Sequence, residues 1–305
     1  KFKKKTNSKS NGKSHNLFTQ NDIDQLIKLM SKSSKPIFYT GGGVINSGPK
    51  ASELLRELVY ATGFPITSTL QGLGSFPGDD KQFLGMLGMH GTYEANLAMH
   101  HCDVMLNIGA RFDDRVTGRI DAFSPNATKI HIDIDQSSIN KNVLADVPIV
   151  GDACWKSKRL SPKDDKLSQW WNEINSWRGK ECLKFDQQGK IIKPQFAIKR
   201  LFEKTKDKEV FISTEVGQHQ MWAAQYFGFD KPNRWMTSGG LGTMGYGLPA
   251  AMGTQIAHPD ALVIDIAGDA SILMNMQEFS TITQYRLPVK VFIINNQWMG
   301  MVRQW

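Results

Sequence analysis

The feature that most constrains the fold is a segment near the end of the sequence, residues 262–296. It starts with a short apolar run that ends in Gly268-Asp269, and it finishes with a second apolar run that ends in Asn295-Asn296. The residues between the runs, from about 275 to 285, have helical spacing. Two short apolar runs joined by a helix predict a βαβ unit whose two strands are buried and parallel.

The polar residues at the two predicted strand ends indicate a ligand. A right-handed crossover puts both strand ends at one edge of the sheet, so we expect Asp269 and Asn296 to lie close together. A carboxylate and an amide oxygen suit Mg²⁺, which fills its other positions with phosphate and water. Gly268 lets the backbone approach a bulky group, and the amides of Ala270 and Ser271 could receive phosphate oxygens. The pattern favours a metal-bridged diphosphate over a simple turn and strand end.

An alternation of strands and helices precedes this unit. Strands are predicted at 36–39, 64–68, 104–108, 128–134, 147–150 and 209–213. Helices are predicted at 23–30, with Thr19 or Asn21 as its cap, and at 49–61, 93–101, 167–183, 195–203, 219–227 and 246–256. The alternation predicts an α/β protein with two doubly wound parallel-sheet domains. The expected division is a flexible basic linker at 1–16, a middle domain at 17–154, a connecting segment at 155–193 and a last domain at 194–305.

Charge and cysteine content exclude several classes. The net charge is +8, but the first 35 residues contain nine Lys and two Asp, so the excess does not describe a folded basic surface and no nucleic-acid partner is expected. No apolar run approaches the roughly 20 residues that span a bilayer, so no membrane partner is expected either. The three cysteines, Cys102, Cys154 and Cys182, have no metal-like spacing. A reducing cytoplasm or organelle matrix is the expected setting.

Glycine-rich and charged segments follow the predicted strands of the first domain. These are Gly41 to Gly43, Thr69, Gly109 to Arg115, Asp133 and Asp152. Three glycines allow a cofactor to lie against bare backbone, although a plain strand-to-helix turn explains them equally well. An acidic residue at a strand end can bind ribose hydroxyls and an arginine can face pyrophosphate. These residues alone predict a nucleotide-like cofactor and no more.

Several motifs resemble those of the thiamine-diphosphate-dependent enzymes that cleave and join 2-oxo acids, and within them the catalytic subunits of the acetolactate synthase (acetohydroxyacid synthase) family. Gly268-Asp269 followed by a helix and Asn295-Asn296 is similar to the thiamine-diphosphate motif. The narrower resemblance is carried by TLQGLGSFPGD (69–79), GMLGMHGT (85–92), NIGARFDDRVTG (107–118), EVGQHQMWAAQ (215–225), SGGLGTMGYGLPAA (238–251) and GMVRQW (300–305). RFDDRVTG and GMVRQW are the most specific of them. The resemblance covers nearly all of 17–305.

The resemblance implies three cofactors, thiamine diphosphate, Mg²⁺ and FAD, and assigns residues to them. For the metal these are Asp269, Asn296 and, through its backbone carbonyl, Trp298. The cofactor-binding residues of the last domain would be Val216, Gly217, Gln218, His219, Gln220, Met221, Gly239, Gly240, Gly242, Met244, Gly268, Ala270, Ser271 and Met301. Those of the middle domain would be Gly41, Gly42, Gly43, Thr69, Leu70, Gly88, Met89, His90, Gly109, Arg111, Asp113, Arg115, Asp133, Ile134, Asp152 and Ala153. Arg115, Met244 and Trp305 are the implied catalytic residues.

In the resembling enzymes pyruvate is decarboxylated and the remaining two-carbon unit is joined to a second 2-oxo acid, the first common step of branched-chain amino acid synthesis. The resemblance implies a homodimer or tetramer, and often a small regulatory subunit. It also implies an earlier pyrimidine-binding domain and a longer last domain. We therefore expect the chain to be a fragment with negligible activity by itself.

Three other interpretations stay open from the sequence. A sibling thiamine-diphosphate enzyme, such as a glyoxylate carboligase or a benzoylformate decarboxylase, would share the thiamine-diphosphate motif but lack RFDDRVTG and GMVRQW. A flavin oxidase similar to pyruvate oxidase would reduce its flavin with substrate and form peroxide. A non-catalytic nucleotide-binding module would bind cofactors without turnover.

Overall fold

The computed structural model describes residues 18–153 and 164–304. Strands in these ranges form two separate sheets, and all neighbouring strands run parallel. The prediction of an α/β protein with two parallel sheets is therefore confirmed. No helix in the described ranges is long and apolar enough to cross a membrane.

The first sheet contains six strands. They are β1 (Pro36–Thr40), β2 (Ile66–Ser68), β3 (Phe83–Met86), β4 (Val104–Ile108), β5 (Thr128–Asp133) and β6 (Val147–Val150). Their spatial order is β3-β2-β1-β4-β5-β6. This is the order of a doubly wound dinucleotide-binding sheet, in which the direction of the chain reverses between β1 and β4.

Helices cover both faces of the first sheet. They are α1 (Gln20–Lys32), α2 (Gly42–Asn46), α3 (Pro49–Thr62), α4 (Tyr93–His101), α5 (Asp114–Thr117) and α6 (Asp164–Arg178). Leu26 of α1 and Val59 of α3 are buried in the core on one face. Ala98 of α4 and Trp170 of α6 are buried in the core on the other face. The sheet is thus buried on both sides, which explains its continuous apolar strands.

Local sequence signals start and stop the first helices. Thr19, and not Asn21, caps α1, because its Oγ1 accepts from the Asp22 N–H at 3.3 Å while the Asp22 carboxylate accepts from the Thr19 N–H at 2.6 Å. Pro49 opens α3 at a position where no N–H is needed, and Gly63 ends it in a left-handed conformation.

The second sheet contains four strands, β7 (Val210–Thr214), β8 (Trp235–Thr237), β9 (Leu262–Gly268) and β10 (Lys290–Ile294), in the order β10-β9-β7-β8. Its helices are α7 (Pro194–Thr205), α8 (Gln218–Tyr226), α9 (Gly247–Ala257), α10 (Glu278–Gln284) and α11 (Gly300–Gln304). Ile198 of α7 and Ala223 of α8 pack on one face. Leu248 of α9 and Ile282 of α10 pack in the core on the opposite face. This sheet is therefore doubly wound as well.

Direct hydrogen bonds join the two sheet units. The Trp235 indole N–H donates to the Leu70 carbonyl at 3.0 Å, and Gln71 Nε2 donates to the Thr237 carbonyl at 2.9 Å. Gln225 Nε2 donates to the His90 carbonyl at 2.9 Å. The loops after β2 and β3 are therefore held against the second sheet and its helix α8.

Several predicted elements differ from the structure. The helix predicted at 167–183 ends at Arg178, and the one predicted at 275–285 is divided into a 3-10 turn, Ile272–Asn275, and the shorter α10. β3 and β8 were missed because both are short and β3 contains Gly85, whose φ is +88°. Such strands are recognised by their pairing more than by their own sequence.

Candidate active site

The second sheet has a topological switch point that opens into a cleft. β8 lies on one side of β7 and β9 lies on the other, so the loops that follow β7 and β9 separate. They border a cleft of about 410 Å³ that is partly open to solvent. The residues that the sequence assigned to a cofactor and that line it are Val216, Gly217, Gln218, His219, Met244, Gly268, Asp269, Ala270, Ser271, Asn296, Trp298 and Met301.

Asp269 and Asn296 lie at the same edge of the sheet. The register of β9 and β10 pairs Gly268 with Ile294, so the residues that follow the two strands emerge side by side and line one cleft. Asn296 Oδ1 accepts from the Trp298 N–H at 3.1 Å, and Asn296 Nδ2 donates to Gln218 Oε1 at 3.2 Å. These two bonds orient the Asn296 amide before any ligand arrives.

The His219 ring fills the space between the loops after β7 and β9. A Cβ built on Gly217 would lie 2.7 Å from His219 Cε1, and one built on Gly268 would lie 2.6 Å from His219 Nδ1. His219 is buried, and its Nε2 lies 3.5 Å from Ser271 Oγ. Burial lowers its pKa to about 4, so the imidazole is neutral at neutral pH. The bulky group that Gly268 accommodates in this structure is therefore the side chain of His219.

Hydrogen bonds on both sides hold Met244 in the cleft. The Thr243 N–H donates to Ser238 Oγ at 3.0 Å, and the Gly245 carbonyl accepts from Asn275 Nδ2 at 2.6 Å. Met244 is one of several apolar residues that line the cleft, together with polar groups such as Asp269 and Asn296. A side chain in this place can support an apolar ring while the polar edge binds its charged end.

The glycines at the switch point of the first sheet contact one another. A Cβ built on Gly43 would lie 2.6 Å from the Gly109 Cα, and one built on Gly41 would lie 2.6 Å from the Ala110 Cα. The space of a Cβ on Gly42 is bordered by the Gln71 Cβ at 3.2 Å. Gly41 and Gly43 thus pack closely against the neighbouring loop, and the expectation that the three glycines offer bare backbone to a cofactor stays a prediction.

The segment around Arg115 is tied to the loop after β3. The Met89 N–H donates to the Arg115 carbonyl at 2.9 Å, and a Cβ on Gly88 would lie 2.9 Å from the Val116 Cα. Burial, and then the charge of Arg115, lower the pKa of His90. The Arg115 side chain is 73 % exposed and lies 3.6 Å from Asp114. Arg115 does not line the cleft of the second sheet.

Most other residues assigned to FAD lie at the carboxyl edge of the first sheet. Arg111 pairs with Asp113 at 3.0 Å, and both side chains are more than half exposed. Asp133 is largely buried and accepts from the Asp135 N–H at 2.8 Å, while Ile134 beside it is exposed. Thr69 and Leu70 begin the turn after β2. Asp152 and Ala153 follow β6, and both are half-buried.

Gln220 and Gly239 lie near the junction, and Met221, Gly240 and Gly242 are likewise not among the residues that line the cleft. Gln220 is buried, and its Nε2 donates to Thr237 Oγ1 at 2.6 Å and to the Ser238 carbonyl at 3.3 Å. A Cβ on Gly239 would meet the Gln71 side chain, whereas one on Gly240 would have open space. Trp305 and Cys154 lie outside the described residues.

Two family models match the chain in succession. Residues 23–156 match the thiamine pyrophosphate enzyme central domain, and residues 215–305 match the thiamine pyrophosphate enzyme C-terminal TPP binding domain. The chain belongs to the thiamine pyrophosphate enzymes. The second match covers the loops after β7, β9 and β10, which form the cleft.

Curated relatives of this thiamine pyrophosphate enzyme are acetolactate synthases. The large subunit of acetolactate synthase isozyme 3 from Escherichia coli is 48% identical over 292 residues, which is 93% of this chain and 50% of the relative. The Haemophilus influenzae acetolactate synthase large subunit is 47% identical over 93% of the chain and 50% of its own length. The chloroplastic acetolactate synthase of Arabidopsis thaliana is 50% identical over 93% of the chain and 43% of its own length. The chain thus spans about half the length of these relatives.

The cleft fits thiamine pyrophosphate, the cofactor in the family name. Its described lining contains one carboxylate, that of Asp269, and the neighbouring amide of Asn296. A Cβ added at Gly268 would displace the His219 ring, so the backbone there has no room for a side chain. Among the described residues no cluster of three or more His, Cys, Asp or Glu could hold a metal ion. A Mg²⁺ that completes its shell with diphosphate and water requires only one or two protein oxygens, so the donor set agrees with a metal-bridged diphosphate.

The sequence interpretation missed some residues of the cleft. Trp222, Ile294, Met299 and Gly300 also line it. Trp222 lies one helical turn after His219 in α8, so the 3.6-residue period could have placed it on the same face. Gly300 lies so close to Gln218 Oε1 that a Cβ there would displace the amide. That contact joins residues far apart in the sequence, and no local pattern indicates it.

Proposed function

We propose that the chain is the central and C-terminal part of an acetolactate synthase. That enzyme decarboxylates pyruvate and joins the two-carbon unit to pyruvate or 2-oxobutyrate, the first common step in the synthesis of valine, leucine and isoleucine. The observation that carries the proposal is the identity of about half the residues with acetolactate synthases over 93% of the chain. The open cleft at the switch point of the second sheet supports it.

The cleft residues have distinct proposed roles. Asp269 and Asn296 hold Mg²⁺ through side-chain oxygens, with the Trp298 carbonyl as a third protein ligand. The backbone of Val216 to His219 and of Gly268 to Ser271 surrounds the diphosphate, and Met301 with Val302 borders the substrate side. Thiamine diphosphate, when bound, supplies the electron sink for decarboxylation. Met244 supports its apolar rings from below, and the neutral His219 holds the two loops apart without adding a charge.

FAD is proposed at the edge of the first sheet and the junction. The exposed guanidinium of Arg111 is available for a pyrophosphate, and the exposed Ile134 offers an apolar surface at the end of β5. The open space above Gly240 allows a flat ring to approach the second sheet. Because Gly41 and Gly43 already contact the loop after β4, we assign the approach of FAD to Gly42, Arg111 and the loop around His90.

The second 2-oxo acid is proposed to meet Arg115 through its carboxylate and Trp305 through its side chain. The Arg115 side chain is exposed, so its guanidinium is available for such an anion. The partners are small 2-oxo acids, further copies of the subunit, and a small regulatory subunit. Because the relatives are bacterial and chloroplastic, we propose the cytoplasm or an organelle matrix as the compartment.

The test of the function is product formation by the full-length protein. With pyruvate, thiamine diphosphate, Mg²⁺ and FAD it should form acetolactate without net flavin reduction. Addition of 2-oxobutyrate should give the corresponding acetohydroxybutyrate. Reduction of the flavin by pyruvate together with peroxide formation would identify an oxidase and overturn the proposal. Binding of the cofactors with no turnover would identify a non-catalytic module.

A matched pair of variants tests the site. Asp269→Ala should weaken Mg²⁺-dependent binding of thiamine diphosphate by about 100-fold, because it removes the one carboxylate among the described residues that line the cleft. Asp260→Ala removes an exposed carboxylate just before β9 and should change nothing. Binding is measured by calorimetry with and without Mg²⁺. Equal affinities of the two variants would show that Asp269 does not hold the metal.

A further inference from the structure

Two carboxyl groups are buried beneath the cleft, where the proposed chemistry does not use them. Glu215 follows β7 directly and Asp265 lies within β9, and both residues are 0% exposed. Each has one oxygen, Glu215 Oε2 and Asp265 Oδ2, without a hydrogen-bond partner in the structure. Burying an unpaired carboxylate is costly, so a buried pair of this kind requires a specific arrangement of protons and donors.

Glu215 receives donors from the beginning of α9. Its Oε1 accepts from the Leu248 N–H at 3.1 Å. The backbone N–H groups of Gly247 and Gly245 also favour its charged form, although burial raises its pKa overall. The first N–H groups of a helix attract negative charge, so this is the member of the pair that is best able to stay ionised.

Asp265 has the opposite surroundings. Its Oδ1 accepts from the Ser213 hydroxyl at 3.2 Å, and a Cβ on Gly247 would fall against the same oxygen. Burial and then the charge of Glu215 raise the pKa of Asp265 to about 8. Its carboxyl therefore keeps its proton at neutral pH, when an exposed aspartate is ionised.

We propose that Asp265 is a protonated carboxyl that donates to Glu215 Oε2, and that this pair positions Met244 by fixing the first turn of α9. One proton satisfies both unpartnered oxygens at once, and it prevents two like charges from facing each other. The donors to Glu215 begin at Gly245, directly after Met244, so the pair holds the loop that presents Met244 to the cleft. Only the role of Met244 rests on the proposed function.

The charged surroundings leave the proton with this pair. Among the described residues, Glu215 is the charge that acts on Asp265. From α8 the ring of His219 interacts with the Glu215 backbone, and it is neutral at neutral pH. Ser213 of β7 and the glycines at the start of α9 contribute dipoles only. No cation from these elements offsets a second negative charge.

The first test is the pH dependence of stability in the full-length protein without cofactors. The raised pKa means that folded protein keeps a proton that the unfolded chain loses, so the contribution of Asp265 to stability, measured as the difference in Tm between wild type and Asp265→Asn, should fall as pH rises from about 4 to about 8. Asp265→Asn keeps a neutral donor and should lose this pH dependence. Its Tm should therefore rise relative to the wild-type Tm as pH increases from about 4 to about 8. Asp265→Ala should be less stable than wild type throughout. A constant gap between Asp265→Asn and wild type would overturn the proposal.

Infrared spectroscopy gives a readout that needs no variant to fold. A native carboxylic-acid carbonyl band should persist at pH 7 in the wild-type protein, and Asp265→Asn should remove it. Absence of such a band in wild type would contradict the protonated state. The exposed Asp260→Asn is the matched control and should leave the spectrum unchanged.

The positioning role is tested by cofactor affinity. Glu215→Gln replaces the charged acceptor of the α9 amides and should weaken thiamine diphosphate binding about tenfold, while Asp265→Asn should preserve it. If wild type does not bind thiamine diphosphate, the proposed function fails while the pH and infrared results still stand. If wild type binds and Glu215→Gln binds equally well, the positioning role is wrong.

Discussion

The switch points of the two sheets have the same parallel topology but differ in how their loops pack. Between β1 and β4 of the first sheet, the loops with Gly43 and Gly109 contact each other through bare backbone. Between β7 and β9 of the second sheet, the ring of His219 separates the loops and a cleft opens beside it. Parallel topology therefore provides a possible crevice, and the residues of the two bordering loops decide whether it stays open.

The largest expected effect is at the switch point of the first sheet, where the two loops contact each other. Gly109→Ala should destabilise the protein by more than about 3 kcal/mol, because φ is +66° and the new Cβ would lie 2.6 Å from the Gly43 Cα. Gly253→Ala in α9, where a Cβ has open space, should be neutral or stabilising by up to about 1 kcal/mol. Denaturant unfolding of both full-length variants measures this. Similar stabilities for the two would break the distinction.

The next effect concerns His219, whose ring separates the two loops at the switch point of the second sheet. The pKa of His219 is lowered to about 4, so folded protein binds fewer protons than the unfolded chain below pH 6.5. Without added Mg²⁺ or thiamine diphosphate, the contribution of His219 to stability should therefore fall as pH decreases from about 6.5 to 4, by up to about 3 kcal/mol. His219→Gln should reduce that slope, and His100→Gln, at an exposed position, should not. The measurement is the unfolding free energy across this pH range. Equal pH slopes for wild type and His219→Gln would contradict the role of His219.

A smaller effect is expected from a glycine of the open switch point. Gly268→Ala would meet the His219 ring, which is a side chain and can move more readily than backbone. We expect a loss of about 1–2 kcal/mol in stability and a clear loss of thiamine diphosphate affinity, because the displaced ring would enter the cleft. Calorimetry and thermal unfolding of the same sample separate the two effects. A stability loss as large as that of Gly109→Ala would show that both switch points are equally rigid.

The smallest effect on stability is expected at the exposed edge of the first sheet. Arg111→Ala breaks an exposed ion pair with Asp113 and should change the unfolding free energy by less than about 0.5 kcal/mol. It should nevertheless weaken FAD binding, measured by flavin fluorescence, while Lys50→Ala in another exposed pair should not. Unchanged FAD affinity would remove Arg111 from the proposed flavin site.

Much of the fold could be predicted because most strands are buried on both faces. The prediction that both strands of the βαβ unit are buried is wrong for β10, an edge strand in which Lys290 and Ile293 are exposed. The bounds predicted for α4, β4 and β6 agree with the structure, since each is marked by a continuous apolar or helical pattern between clear stop signals. β8 has only three residues, and its Trp235 is oriented by a hydrogen bond to Leu70 in the other sheet unit. Such an element depends on a distant partner and leaves little local signal.

Local patterns along the chain are sufficient to predict the α/β class, the βαβ unit around Gly268-Asp269 and Asn295-Asn296, and the resemblance to thiamine-diphosphate-dependent enzymes. Other features depend on the tertiary structure: Gly41 and Gly43 contact the loop after β4, the His219 ring lies beside Gly268, and Glu215 and Asp265 are both fully buried. Periodicity and capping act over a few neighbouring residues and can be read along the chain. Close packing between loops depends on distances across the sheet, which the order of residues does not contain.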